Sequence, residues 1–257
     1  MADGISFDKY IDNPSGKGAS VITNRNMYKS MYSSKFNAVL VREQGKIDFE
    51  IFKTKDKNDT YYIYIKVPSE VISNFYYDVV IKLYTTIGAK KASANLRNYA
   101  VGFYSNDPAF VYTFAYSFSK NKLFIDDLAP KMSRKALQTK AKVKNPKNEV
   151  WYVKSLYFAY LTMEKYNLFN RLNLDRLSKR YNKKELLSKI THADKKIQDR
   201  MDEQEKLNKE KSIKEKQSSE RNVNKATAKT KTSNITKTAK TSVVSKRTNT
   251  TKTTKKI

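Results

Sequence analysis

Asp48 and Glu50 stand two residues apart in an alternating segment, so on a strand both carboxylates share a face. Two such oxygens could hold a magnesium ion, although an exposed hairpin face also carries charge simply for solubility. Many metal-dependent nucleases place an Asp ahead of Glu-x-Lys on a hairpin, and Glu-x-Lys occurs nowhere in this chain. Asp126 and Asp127 are adjacent and would point apart on a strand. Gly16-Lys17-Gly18 invites a phosphate-loop reading. The Walker pattern needs Gly five residues ahead of its Gly-Lys pair and Ser or Thr after it, where this chain has Ile11 and Gly18. His192, the one histidine, falls in a charge-rich stretch with no pocket expected around it, which leaves a nucleophile–His–acid arrangement without support. No catalytic residue, metal site or cofactor is assigned, and a non-enzymatic protein is expected.

Aromatic residues offer a different chemistry, the stacking of nucleic-acid bases. Phe110, Tyr112, Phe114, Tyr116 and Phe118 alternate with Ala109, Val111, Thr113, Ala115, Ser117 and Ser119. On a strand the five rings would line one face, either as a stacking platform or as the thick half of a core. The core reading is preferred, because a platform needs cations interleaved on the same face and none is there. Tyr62, Tyr64 and Lys66, with Tyr76, Lys82 and Tyr84 as a second set, do mix rings with cations on the outward side of alternating segments. They are the candidate contacts within the fold.

Elements that would position these groups follow from periodicity. Residues 1–35 are polar and punctuated by turn residues, and read as a flexible N-terminal arm. From there to residue 190 an α+β globular domain is expected, with five or six mostly antiparallel strands followed by two helices. Strand candidates are Ala38–Arg42, Ile47–Ile51 after a Gln44-Gly45 turn, Tyr61–Val67 ended by Pro68, Phe75–Tyr84, Arg97–Tyr104 and Ala109–Ser119. Helix candidates are Glu149–Phe169, whose wide apolar stripe must meet either the sheet or another subunit of a homo-oligomer, and Leu172–Ile190. Residues 191–220 form a charged, partly helical spacer, and residues 221–257 a Lys/Thr-rich tail.

The tail carries eleven cations, Arg221, Lys225, Lys229, Lys231, Lys237, Lys240, Lys246, Arg247, Lys252, Lys255 and Lys256, with no acidic or aromatic residue. It cannot bury enough apolar surface to offset its ordering entropy, so a disordered polycation is expected. The chain has a formal charge of +27, and the tail does not account for all of it: about +14 resides on residues 1–181. A basic fold with a basic tail points to a polyanionic partner, contacted nonspecifically through phosphates. The absence of Cys removes disulfides and thiolate metal sites. Met1–Tyr10 lacks a basic stretch followed by an apolar run, and no segment approaches the ~20 apolar residues of a membrane span, so neither secretion nor a membrane partner is expected.

Val67-Pro68-Ser69-Glu70, Phe75 to Val80, Tyr104 to Phe110 and Lys154 to Tyr160 resemble stretches of small structural or uncharacterised proteins of bacteriophages that infect Gram-positive hosts. The resemblance spans about residues 35–170. It implies a virion or assembly role beside other phage structural proteins, in the virion or host cytoplasm, and transfers no catalytic residue. A free DNA- or RNA-binding protein of replication or regulation and, behind it, a metal-dependent nuclease are the other readings the residues leave open.

Overall fold

The computed structural model describes residues 6–11, 14–15, 22–55, 59–85, 94–145, 147–148, 150 and 153–244, with side chains described at 6–10 and, within those segments, 33–218. The centre of the body is a five-stranded sheet in the order β6-β5-β4-β3-β7, formed by β3 (Phe49–Lys53), β4 (Tyr61–Pro68), β5 (Tyr76–Tyr84), β6 (Ala100–Ser105) and β7 (Ser178–Arg180). All neighbours are antiparallel except β3 and β7. The fold is α+β, as the sequence predicts.

Register shows why the sheet is stable. Ile51, Ile63, Ile81 and Phe103 lie side by side across four strands, all nearly inaccessible to solvent. Their face is covered by rings from helix α1 (Phe7–Ile11), with Phe7 4.9 Å from Phe169 and Tyr10 4.6 Å from Phe103. Phe36 of helix α2 (Asn24–Arg42) meets Phe158 of helix α5 (Lys154–Lys165) at 5.3 Å. The apolar stripe of α5 therefore packs on this chain's own sheet. A backbone hairpin, β1 (Pro14–Ser15) with β2 (Ile22–Thr23), leads into α2.

Several expectations are corrected here. The first 35 residues are not all a free arm, since Phe7 and Tyr10 are fully buried and the Phe7 amide donates to the Tyr99 carbonyl at 2.9 Å. Ala38–Arg42 is the end of α2 rather than a strand. Phe36, Val39 and Leu40 are inward at helical spacing while Val41 is exposed. The Gln44-Gly45 turn exists but closes that helix: Gln44 and Gly45 have positive φ, and their amides donate back to the Val41 and Leu40 carbonyls.

Ala109–Ser119 is not a strand either. A single wide turn, Phe110–Phe114, in which the Ala115 amide reaches the Phe110 carbonyl, runs into helix α3 (Ala115–Lys120). A period of two places an aromatic at every fourth position as well, which also satisfies a helix. Phe110 and Phe118 are buried, Phe114 and Tyr116 are half-buried, and Tyr112 faces outward. The expected helix over Leu172–Ile190 is broken into α6 (Arg171–Leu177) and α7 (Lys183–Lys189), with β7 between them.

Asn182 makes that break possible. Its side-chain oxygen accepts from the Lys184 and Glu185 amides at 3.0 and 3.4 Å, starting α7. Asn182→Ala should lower the unfolding free energy by about 1 kcal/mol in urea titration. A loss below a few tenths would mean that packing, not the cap, holds this helix.

The final helix, α8, runs Ala193–Val244. Its first turns belong to the body: Ala193 and Ile197 are buried and the Lys196 ammonium lies 4.7 Å from the Phe75 ring centre. Residues from 203 onward form a second unit, exposed or half-buried along the helix as far as residue 218. Among its described side chains, 203–218, none is buried, and a helix without a buried apolar face is marginal in water. The tail thus brings a helical backbone as far as Val244.

Candidate nucleic-acid interface

Many carboxylates of the body are held in ion pairs by its cations. Lys53 bonds Asp175 at 2.7 Å and lies 3.5 Å from Asp59, and Arg171 bonds Asp59 at 2.5 Å. Glu50 is held by Lys179 and by Lys189, and Asp48 by Lys66 at 3.1 Å. Burial alone would raise the Glu50 pKa, but the bonds and charges of Lys179 and Lys189 outweigh it and hold the carboxylate below its usual range. The two carboxylates that could have shared a magnesium ion are therefore engaged in ion pairs. Among the described residues no group of three or more His, Asp or Glu side chains could hold a metal ion. His192 accepts the Asp194 amide at Nδ1, 3.2 Å away, as a local turn residue.

One stretch gathers cations outside this pairing. From 131 to 147 the chain has seven basic residues, Lys131, Arg134, Lys135, Lys140, Lys142, Lys144 and Lys147, and no acidic one. Six are exposed and Lys131 is half-buried, and among the described residues none has an acidic partner. Both ends of the stretch are anchored. At the first, the Tyr104 hydroxyl of β6 donates to the Lys131 carbonyl at 3.0 Å, and Met132 is buried beside it. At the second, Asn145 is buried and its amide donates to the Thr113 carbonyl at 3.3 Å and to Ser117 Oγ at 3.0 Å.

Between these anchors helix α4 (Arg134–Gln138) packs against α3. The result is a ridge of cations fastened to the 110–120 segment, on which Tyr112 is exposed and the Lys120 ammonium sits 5.6 Å from the Tyr116 ring centre. Uncompensated exposed cations are what a phosphate backbone requires, because each one bound releases a condensed counterion. Sequence reasoning weighed this stretch only as part of the total charge. Its signal was there in the seventeen residues without an acid.

The predicted contacts of the sheet are placed elsewhere. Tyr62 and Tyr64 are buried rather than outward, because the second face of the sheet is covered as well. Tyr62 stacks on Tyr181 at 4.4 Å and donates to Asp127, and Tyr64 donates to Asp78 at 2.8 Å. Burial, reinforced by Asp127, pushes the Tyr62 phenol well above its usual range, so it remains a donor. Burial would likewise raise Asp127, but Tyr62, Lys82 and Lys183 together keep it lowered. These rings are core, not a stacking surface. Lys66 is exposed and lines a cleft of about 850 Å³ with Lys46, Lys189 and Lys196, where Glu43, Asp48 and Asp78 balance the charge. Tyr76 in that cleft donates to Glu43, and Lys82 pairs with Asp127 at 3.5 Å.

Of the tail cations, Arg221, Lys225, Lys229, Lys231, Lys237 and Lys240 fall on the helical backbone of α8, with side chains outside the described residues. Lys246, Arg247, Lys252, Lys255 and Lys256 lie wholly outside them, as do Gly16-Lys17-Gly18. No helix among the described residues is long and apolar enough to cross a membrane. Comparison with protein-family models, with curated proteins and with solved structures finds no match to this chain.

Proposed function

We propose that this chain is a non-enzymatic binding protein for the phosphate backbone of nucleic acid. The body contributes the cation ridge 131–147 and the tail adds eleven further charges from residue 221 onward. The observation that carries the reading is the ridge itself, which presents seven cations with no acidic partner among the described residues and is fixed at Lys131 and Asn145. The engagement of Asp48 and Glu50 by lysines supports a binding rather than a cleaving role. Within the virion or assembly role that the phage resemblance implies, such a surface would hold packaged genome, with the sheet and its helices as the scaffold.

Counterion release gives the test. Filter binding of the full chain at a series of salt concentrations should show log affinity falling linearly with log salt, by about 0.7–0.9 per phosphate neutralised. A flat dependence would remove the proposal. Deleting residues 221–257 should cut nonspecific affinity severalfold or more while leaving the unfolding transition in place, since the compact body ends at Asp202. Unchanged binding would exclude the tail from the contact.

A further inference from the structure

Resting on the reading above, we infer that the ligand of the ridge is single-stranded nucleic acid, with Tyr112 as the platform on which one base stacks. Stacking needs a ring whose flat face is open, fixed in place and close to cations that can hold the flanking phosphates. Tyr112 meets each condition. It is 63% exposed, and among the described residues no other aromatic side chain is in the exposed class. Its ring makes no ring–ring or cation contact with any of them, whereas the neighbouring Tyr116 is already covered by Lys120.

The backbone beneath Tyr112 is fixed. Val111 and Thr113 on either side are buried, and the wide turn that carries all three is closed by the Ala115 amide on the Phe110 carbonyl. Little freedom is then lost when a base settles on the ring. The cations are brought alongside by the Asn145 bond to the Thr113 carbonyl, one residue from Tyr112. Lys142 and Lys144 lie within three residues of that anchor and both are exposed. In a duplex the bases are already stacked on each other and only phosphates are offered, so Tyr112 gains nothing from a double strand.

The test uses the full chain, a thymidine oligonucleotide and a duplex of equal length, compared at one raised salt concentration so that the tail does not dominate. Tyr112→Ala should weaken single-strand binding about fivefold or more and leave duplex binding unchanged, while Tyr112→Phe keeps wild-type affinity for both. Equal losses on the two polymers, or no loss on the single strand, would overturn the stacking assignment and leave the phosphate reading standing. Failure of the wild-type chain to bind either polymer would overturn both.

Discussion

Replacing Asp78 by Ala should lower the unfolding free energy by about 3–5 kcal/mol, a large part of the 5–15 kcal/mol a domain ordinarily has. Asp78 is buried in β5 and accepts three hydrogen bonds, from the Tyr64 hydroxyl at 2.8 Å, Asn106 Nδ2 at 2.7 Å and the Thr191 amide at 2.9 Å. Its own amide donates to Asn106 Oδ1 at 2.8 Å. Removing the carboxylate leaves the Thr191 amide without its acceptor and leaves the Tyr64 hydroxyl and Asn106 Nδ2 only their second, longer bonds to the Lys189 and Thr191 carbonyls at 3.4 and 3.2 Å, each lost bond to the charged group costing about 1–3 kcal/mol before relaxation. The Thr191 bond also ties the start of α8 to the sheet, so the variant should expose the 191–197 segment to hydrogen exchange ahead of the rest of the body. A loss below about 1 kcal/mol in urea titration would show that this network is not what joins the last helix to the sheet.

The second large effect is on binding. Lys140, Lys142, Lys144 and Lys147 are exposed and have no acidic partner among the described residues, so converting all four to Ala removes ligand-facing charge without breaking any ion pair of the fold. If each neutralises one phosphate, the quadruple variant should bind single-stranded nucleic acid on the order of 100-fold more weakly near 0.1 M salt. Its unfolding transition should stay within about 0.5 kcal/mol of wild type, as for surface changes generally. A control replacing Lys53, Lys179, Lys183 and Lys189, which pair with acids of the body, should affect stability more than binding. The reverse ranking would place the contact on the sheet edge instead.

What could be read in the chain and what could not have physical causes. β4 and β5 are legible because branched and aromatic residues alternate over eight and nine positions and Pro68 ends the first. The sidedness of β4 is not, because alternation shows that Tyr62 and Tyr64 share a face and says nothing of what covers it. That cover comes from Asp127, Tyr181 and Lys189, between 65 and 125 residues away along the chain, through contacts no local pattern encodes. The 110–118 repeat shows a different limit. Its period of two is also a period of four, which a helix satisfies with Phe110 and Phe118 inward and Tyr112 outward, and periodicity alone does not separate the two. The tail's charge was plain from composition, while the ridge, with a comparable density of cations, lay hidden in a net charge averaged over 181 residues.

Whether the lysines of the folded body, and not the tail alone, hold nucleic acid is read from the slope of log affinity against log salt, measured for the full chain and for the variant with Lys140, Lys142, Lys144 and Lys147 changed to Ala. The slope should become shallower by about 3, the contribution of four phosphate contacts on a single strand. An identical slope for the two proteins would contradict the assignment and show that these four lysines neutralise no phosphate.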